Sequence, residues 1–525
     1  LLLAAGLPAC VGGGADPQVA VAVNSPELAQ TRTFRDVRQG ITAAGEVYFH
    51  AAVCGGGKYR CKSRVRTDAV GHPLVSPDAG GQSAGYGPSD LASAYAIDTT
   101  LKPNATIAVV DAYGYANLES DLAAYRSMYS LPACTTASGC LKIVDQTGGT
   151  NLPGAPPAND DWTVETALDV DMASAACPNC KILVVQAEDD QGDGLDIAQA
   201  AAAKLGATVI SNSWGGTTQG SDAMSQEMYF TLTTKTGIFV ASGDDGYDNY
   251  LSGQTGPDYP STSEYVIAVG GTNLVKSAGT TRGWTERAWG AANGGKVSSS
   301  DGAGGSSCSD ALAIPTWQNG IATSCKFRAA SDVAAVGDPE TGLVVYNKAS
   351  GGAIGVGGTS ASSPFVAGVF ALYGHGMNKA DFVYTNKTAW NDVTTGINGT
   401  CANVLCQAGT GWDGPTGLGT PNGKALAMIP PTDSNDTPPD MAKPLDMSTP
   451  PDMAEASGVP GEGSSGGGGS TGTGGNGGSG GSADHGGGGG GCSLGGGDVA
   501  SGGLWIFLVL GAGLLGRGLR VRRRP

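Results

Sequence analysis

A serine in a turn of small residues is the first feature of this sequence that indicates catalysis. Ser360 follows Gly357 and Gly358 and precedes an apolar stretch, from Phe365 to Leu372, that predicts a helix. A hydroxyl at the start of a helix lies beside free backbone N–H groups and the positive end of the helix dipole, which stabilise a developing anion. The sequence therefore predicts a nucleophilic serine presented by a helix N-terminus.

Histidine, the usual base for such a serine, is scarce and badly placed in this chain. Only four histidines occur, His50, His72, His375 and His485. The first two precede the predicted catalytic core, and the last stands in a glycine tract. His375 follows the serine's own helix, about 20 Å from the serine at the usual helical rise. We therefore expect a carboxylate to accept the serine proton.

Two acids on one predicted helix are the best candidates for this base. Apolar residues recur every four positions in the segment 160–173, which predicts a helix with Glu165 and Asp169 on one face, about 5–6 Å apart at Cβ. Two like charges so close destabilise a helix unless they share a proton, which would leave one base and one supporting acid. The spacing alone also fits a solvated helix face.

A third acid, Asp244, follows the predicted buried strand Ile238–Ala241 in a Ser-Gly-Asp turn. Functional loops of α/β sheets lie at this end of the strands. An aspartate beside glycine is commonly an ordinary turn residue. In an acidic site it can instead stay protonated and donate a hydrogen bond to an oxyanion.

These motifs, in this order, resemble the sedolisin family of serine-carboxyl peptidases. The resemblance extends from Gly85 to Leu426. It implies that Ser360 is the nucleophile, Glu165 the general base, Asp169 the acid that orients it and Asp244 the oxyanion donor. It also implies an α/β, subtilisin-like fold, with a mostly parallel sheet flanked by helices. Further matching segments are residues 86–88, 211–215, 259–263, 269–272 and 328–346.

Two neighbouring acids are given no catalytic role. Asp111 ends the predicted strand Ile107–Val110, where histidine-dependent subtilases carry the aspartate of their triad. Because this chain has no histidine to orient, we expect Asp111 to be a loop or capping residue. Asp171, close to the acid pair, is expected to be structural.

Two segments near residues 390 and 410 suggest a calcium site. Calcium binds about six to eight oxygens from carboxylates, backbone carbonyls and water, and glycine lets the backbone turn its carbonyls inward. Composition alone also fits plain turns. The resemblance to sedolisins implies one structural Ca²⁺, held by the residues Asp392, Val393, Gly409, Gly411 and Asp413, the aspartates through their side chains and the others through carbonyls.

Charge and cysteine content indicate the compartment. The chain has 525 residues and a formal net charge of −17, which argues against a nucleic-acid partner. Most of its twelve cysteines form close pairs, which is typical of disulfides in an exported protein, whereas zinc binding would need a second matching pair. The pairs are Cys54 and Cys61, Cys134 and Cys140, Cys177 and Cys180, Cys308 and Cys325, and Cys401 and Cys406.

Both ends of the sequence carry features of membrane targeting. Residues 1–20 resemble the end of a signal peptide, and Leu7-Pro8-Ala9-Cys10 resembles a lipoprotein cleavage site, although ordinary cleavage is an alternative. Residues 431–491 form a linker with a Pro/Asp/Met repeat and a glycine-rich tract. Residues 492–525 combine Cys492, an apolar run and terminal arginines, which resembles a myxobacterial sorting tail. A single-span anchor is the alternative, and both place the enzyme outside the cell.

Between these ends the pattern predicts one catalytic domain. Residues 21–84 form a short N-terminal segment that does not resemble the long inhibitory prosegment of sedolisins, so the control of activity stays open. In residues 85–430, strands alternate with helices such as Leu195–Leu205, which predicts the mostly parallel α/β sheet. The strands are predicted at Ile107–Val110, Ile182–Gln186, Val209–Ser211, Ile238–Ala241 and Tyr265–Val269.

The predicted function is a monomeric, cell-surface serine-carboxyl endopeptidase that hydrolyses peptide bonds through a serine acyl-enzyme at acidic pH. Its substrates would be proteins and peptides, and its membrane attachment would use the C-terminal tail and an N-terminal lipid. One alternative is an inactive surface adhesion protein on the same fold. Another is a hydrolase that uses His375 as base. Cleavage preference, and tripeptidyl-peptidase action as an alternative to endopeptidase action, stay open.

Overall fold

The computed structural model describes residues 32–432, with gaps at 43–44, 76–84, 218–219, 232–235, 254, 293–294, 299–301 and 377–378. The predictions for the signal peptide, Cys10, the linker and the C-terminal tail lie outside the described residues. No helix in these ranges is long and apolar enough to cross a bilayer.

The described elements follow one another along the chain as helices and strands of an α/β protein. The strands are β1 (Arg38–Ile41), β2 (Val47–Ala52), β3 (Arg60–Cys61), β4 (Arg64–Thr67), β5 (Thr106–Ala112), β6 (Leu141–Asp145), β7 (Lys181–Ala187), β8 (Val209–Asn212), β9 (Trp214–Gly215), β10 (Gly237–Ala241), β11 (Asp245–Tyr247), β12 (Ile267–Lys276), β13 (Trp284–Ala288), β14 (Ala303–Cys308), β15 (Ala329–Ala330), β16 (Val333–Val336), β17 (Leu343–Asn347), β18 (Gly352–Gly357), β19 (Trp390–Asn391) and β20 (Thr420–Pro421). The helices are α1 (Pro88–Tyr95), α2 (Leu118–Met128), α3 (Trp162–Ala176), α4 (Gly194–Lys204), α5 (Gly220–Gln226), α6 (Met228–Thr231), α7 (Thr359–Leu372), α8 (Ala380–Thr385) and α9 (Gly423–Leu426).

The central sheet has the strand order β13-β12-β10-β8-β5-β7-β6, and β16 pairs with β12. Every pair is parallel except β12 with β13. β5 and β10 are buried along their whole length, as expected for apolar strands that helices cover on both faces. The predicted mostly parallel α/β sheet is confirmed, and the predicted strands occur with boundaries shifted by one or two residues, apart from the longer β12.

Two helices that carry predicted site residues pack together in the core. Every residue of α7 is buried, as are all but one of α3. From Pro364 onward α7 is apolar on all sides, which is typical of a helix in an interior. Gly368 of α7 permits the close approach, since a Cβ there would lie 2.6 Å from the Cβ of Ala176 in α3. This contact fixes the serine helix against the helix of the acid pair.

The N-terminal residues join the domain through strand pairing. β1, β2 and β4 form an antiparallel sheet with β18 and β17, in the order β1-β2-β4-β18-β17. β3 pairs with β9. Since β18 leads directly into the serine helix, these pairings hold residues 60–67 beside the start of α7.

The predicted disulfides are all present. The bonds are Cys54–Cys61, Cys134–Cys140, Cys177–Cys180, Cys308–Cys325 and Cys401–Cys406. Each closes a short loop, so cross-linking here fixes local turns and does not join distant parts of the fold.

Candidate active site

Ser360 lies in the first turn of α7, two residues after Gly358, whose φ of +111° favours glycine. The side chain is completely buried. Its Oγ donates a hydrogen bond to the Ser213 carbonyl at 3.0 Å and accepts one from the Lys62 N–H at 3.0 Å. The predicted serine at a helix N-terminus is therefore present, with its hydroxyl bonded to Lys62 of the N-terminal segment and to Ser213.

Pro364 lies inside α7, four residues after Ser360. Proline has no N–H, so the Ser360 carbonyl lacks its usual helical partner. The Ser213 hydroxyl approaches this carbonyl at 3.4 Å and also donates to Asp169 Oδ1 at 2.7 Å. One serine thus links the nucleophile's backbone to the acid on α3.

The two acids on α3 lie together with a third. Carboxylate oxygens of Glu165, Asp169 and Asp111 lie within 4.8 Å of one another, and all three side chains are completely buried. Neither oxygen of Glu165 forms a hydrogen bond of normal geometry with a described residue. The nearby hydroxyls of Ser360 and Ser63 nevertheless favour its ionised form. The arrangement is a desolvated carboxyl cluster beside a serine.

The expectation that Asp111 is a loop or capping residue is wrong. It is the sixth residue of β5, and its carboxylate lies against Glu165 and Asp169. The physical reason is that the end of β5 and one face of α3 meet at the same edge of the sheet. An acid at the end of a central strand points to that edge whether or not a histidine is present.

Burial dominates the titration of this cluster. It raises the pKa of Glu165 and of Asp169 well above their ordinary values, and the charge of Asp111 raises both further. Burial also raises the pKa of Asp111, to about 7. Because three carboxylates this close cannot all be ionised, the cluster keeps protons at neutral pH and titrates as a unit.

Asp244 lies on the other side of Ser360. Its Oδ1 accepts hydrogen bonds from the Thr359 N–H at 2.8 Å and the Thr359 hydroxyl at 3.1 Å. Its Oδ2 has no hydrogen bond to a described residue, although Arg64 Nε lies 3.6 Å away. Burial raises the pKa of Asp244 to about 6 even though Arg64 lowers it. This carboxyl is therefore protonated in mildly acidic solution.

His375 occupies a different part of the molecule. It follows the C-terminal end of α7, its ring packs 4.8 Å from that of Phe382, and its Nε2 lies 3.2 Å from the Leu426 carbonyl. Ser360 is in the first turn of the same helix. The geometry gives no support to the histidine-dependent alternative.

The predicted calcium segments lie close together. Asp413 is completely buried, and its Oδ2 accepts from the Gly409 N–H at 2.9 Å, while Asp392 Oδ2 accepts from the Gly411 N–H at 3.0 Å. Burial raises the pKa of Asp413 to about 7, and the charge of Asp392 contributes. The structure therefore brings these two acids to one site. Val393, the remaining predicted ligand, is buried next to Asp392.

Comparisons with known proteins identify the family and the fold of this chain. The model of the subtilase family matches residues 152–403. Kumamolisin from Bacillus sp. (strain MN-32) is 31% identical over 392 residues, which cover 70% of this chain and 68% of kumamolisin. Sedolisin from Pseudomonas sp. (strain 101) is 28% identical over 377 residues, 65% of this chain and 60% of sedolisin. The solved structure of Pseudomonas sedolisin, a serine-carboxyl proteinase complexed with two molecules of pseudo-iodotyrostatin, has a TM-score of 0.54 and 25% identity, and covers 66% of this chain and 98% of that chain.

The fold and the family match define a subtilisin-like serine peptidase. The chain belongs to the sedolisin family of serine-carboxyl peptidases, as its identity to kumamolisin and its structural likeness to sedolisin establish. The family, fold class and enzyme class predicted from the sequence are thereby confirmed.

Proposed function

We propose that this chain is an exported endopeptidase that cleaves protein and peptide substrates through an acyl-enzyme on Ser360 and is most active at acidic pH. One observation carries this proposal: a buried cluster of three carboxyls adjoins a serine at a helix N-terminus. Such a cluster replaces a histidine as proton acceptor, because one carboxylate is ionised while its neighbours hold protons.

In this mechanism Ser360 attacks the carbonyl carbon of the substrate and its proton passes to Glu165. The hydroxyls of Ser360 and Ser63 favour the ionised form of Glu165, although burial raises its pKa well above the ordinary value. Asp169 and Asp111 share the protons behind it. Glu165 then gives its proton to the leaving amine, and water hydrolyses the acyl-enzyme by the same transfers in reverse order.

Two donors serve the oxyanion that forms during the attack. The Ser360 N–H lies at the N-terminus of α7, and Asp244 is held by Thr359 with Oδ2 free. Only protonated Asp244 can donate, so its contribution is present below a pH of about 6 and is lost as pH rises through that value. Protonation of the one ionised carboxylate of the cluster removes the base and limits activity on the acid side. A bell-shaped profile with an acidic optimum results.

Export is supported by the five disulfides of the described residues, since disulfides persist in oxidising compartments. The low lysine content and the charge of −17 suit an acidic medium, where protonation of surface carboxylates reduces repulsion.

A peptide library digested from pH 3 to pH 8 tests the proposed function. We expect internal bonds to be cleaved, with the highest rate below pH 6, and no cleavage by the Ser360→Ala protein prepared in parallel. Release of tripeptides only from free N-termini would contradict endopeptidase action. Absence of any cleavage by wild-type protein over this range would favour the inactive adhesion protein.

We also propose one structural Ca²⁺ at Asp392 and Asp413. The donor set fits, because the loop of Gly409 and Gly411 contacts both carboxylates, and the carbonyls of Val393, Gly409 and Gly411 accept no backbone hydrogen bond from a described residue. Hard oxygens of this kind are what calcium prefers. The ion would neutralise two close carboxylates, one of them buried, and hold the loop of Asp413 against the segment that follows β19.

Removing this ion is expected to lower the melting temperature. Calcium at about one hundred times its dissociation constant stabilises the folded state by about 2.7 kcal/mol. We expect chelator to lower the Tm of wild-type protein by several degrees and to have little effect on the Asp392→Asn/Asp413→Asn variant. The exposed Asp381→Asn variant serves as control and should respond like wild type. An unchanged wild-type Tm after chelation would contradict the proposed site.

A further inference from the structure

Residues 59–63 of the chain's own N-terminal segment lie across the active site as an extended strand. Arg60 and Cys61 pair antiparallel with Gly215 and Trp214. The pairing extends at one end, where the Lys62 N–H donates to the Ser213 carbonyl at 3.0 Å. At the other end the Tyr59 N–H donates to the carbonyl of Asp190, in the segment after β7, at 3.1 Å. Addition of a strand to an exposed edge is a common way for a protein to bind a peptide.

The backbone of Lys62 is held at the nucleophile from two directions. Its N–H donates to Ser360 Oγ at 3.0 Å, and its carbonyl oxygen accepts from the Ser360 N–H at 2.9 Å. The Lys62 carbonyl carbon is bonded to this carbonyl oxygen and lies two bonds from the Lys62 nitrogen. Covalent geometry therefore places the carbon beside Ser360 Oγ.

The Lys62 carbonyl oxygen also faces the proposed oxyanion donors. A Cβ at Gly358 would overlap this oxygen and would lie 3.0 Å from Asp244 Oδ2. Both oxygens therefore border one small space in front of Gly358, together with the Ser360 N–H. This is where the oxygen of a peptide under attack must lie.

The side chain of Lys62 fills a buried pocket that ends in a carboxylate. Its Nζ lies 2.6 Å from Asp258 Oδ2, and the two side chains are only 5% and 3% exposed. The pocket is built around this pair. Gly215 forms one wall, where a Cβ would overlap Asp258 Oδ1, and the Asp258 carbonyl accepts from the Ser261 hydroxyl at 2.7 Å.

A buried carboxylate of this kind discriminates strongly among side chains. Burial raises the pKa of Asp258, and the charge of Lys62 lowers it. A neutral side chain in the pocket would leave this buried carboxylate without its close cationic partner, whereas lysine or arginine supplies the missing charge.

We propose that Asp258 selects lysine or arginine at the residue whose carbonyl is attacked, and that Lys62–Ser63 is the first bond the enzyme cleaves. This inference rests on the proposed peptidase function. In the step, Ser360 Oγ bonds to the Lys62 carbonyl carbon and its proton passes to Glu165. The bond from Lys62 to the Ser63 nitrogen breaks, that nitrogen takes the proton, and water later frees the Lys62 carboxylate.

Until this bond is cleaved, the segment restrains the site that it occupies. The sulfurs of Cys54 and Cys61 lie within 4.8 Å of a Glu165 oxygen and cover the base. Arg64 donates to Asp245 Oδ1 at 2.9 Å and lies 3.6 Å from Asp244 Oδ2, which favours the ionised form of Asp244. Ionised Asp244 has no proton to share with the oxyanion, so the first cleavage should be slow at neutral pH.

The charged groups that act on Asp244 set the pH at which self-cleavage begins. Arg64 and Lys62 lower its pKa, whereas Asp245 raises it. Burial outweighs the two cations, so acidification protonates Asp244 and supplies the missing donor.

Self-cleavage is tested on the full chain by acidification and mass spectrometry of the new N-termini. We expect a terminus at Ser63 in wild-type and Lys62→Arg protein, and at least hundredfold slower cleavage there in Lys62→Glu. The Ser360→Ala chain should stay intact. Cleavage at another bond first, or equal rates for Lys62→Glu and wild type, would overturn the proposed self-cleavage.

Selectivity is tested with peptides that differ only in lysine or leucine at the cleaved position. We expect the ratio of kcat/KM for lysine over leucine to be about 100 or more in wild type and to fall about 100-fold in Asp258→Asn. The exposed Asp222→Asn variant should keep the wild-type ratio. Rapid cleavage after leucine with no preference for lysine would overturn the inference and leave the proposed function intact. Failure to cleave any peptide would count against the proposed function itself.

Discussion

Replacing Ser360 by alanine or Glu165 by glutamine is expected to lower kcat about 10⁴–10⁶-fold, and the double variant should lose little more. Alanine removes the nucleophile, and glutamine cannot accept its proton. The two groups act in one proton transfer, so once either is absent the other has no further effect. The remaining rate comes from binding and oxyanion donors, which neither change removes.

The measurement is kcat on one internally quenched peptide at the wild-type optimum, with folding checked by thermal melting. Two controls match the variants. Ser362, two residues after the nucleophile, has a buried hydroxyl that donates to the Ala335 carbonyl at 3.0 Å. Its replacement by alanine should change kcat less than about tenfold. His375→Ala removes the alternative base. A Glu165→Gln enzyme that keeps more than a tenth of the wild-type kcat would exclude Glu165 as the base.

Apolar spacing was sufficient to predict the two helices that carry the site. The four-residue repeat before Ala173 and the apolar run after Ser360 correspond to α3 and α7, and the strand predictions hold because the central strands are buried apolar runs. The i,i+4 spacing of Glu165 and Asp169 then brings both carboxyls to one cluster. These signals depend only on residues that are close together along the chain, so they can be recognised in a single sequence.

Asp111 shows where reasoning from residue roles fails. Its position at the end of a central strand predicts that it points to the functional edge of the sheet, but the absence of histidine led to a structural interpretation. The carboxylate instead packs against the acids of α3. The strand position was the better guide, because sheet geometry places a side chain independently of the chemistry its neighbours perform.

The position of the N-terminal segment has no comparable local signal. Lys62 and Asp258 are 196 residues apart in sequence, and their ion pair depends on the pairing of the two-residue strands β3 and β9. The spacing of Cys54 and Cys61 predicts their disulfide but not that it covers Glu165. Contacts of this kind follow from the complementary shape and charge of distant segments, which periodicity does not encode.

Asp244→Asn is expected to remove the fall in activity above pH 6. In wild type the donor must be protonated, so kcat/KM should fall about tenfold per pH unit above the pKa of about 6, or about 100-fold by pH 8. Asparagine donates at any pH. Thr359 donates twice to Oδ1, so the asparagine oxygen takes that position and its NH₂ group takes the position of Oδ2, toward the oxyanion.

The measurement is the full pH profile of kcat/KM on one peptide, with wild-type and Asp244→Asn enzyme compared under the same conditions. Asp245→Asn is the matched control, because it removes the adjacent carboxylate that raises the pKa of Asp244. Its profile should keep the fall and shift it to slightly lower pH. If Asp244→Asn retained the wild-type fall near pH 6, the titrating group would have to be the carboxyl cluster, and Asp244 would not be the proton-dependent donor. A profile that stays level to pH 8 in Asp244→Asn alone assigns the acidic optimum to this one side chain.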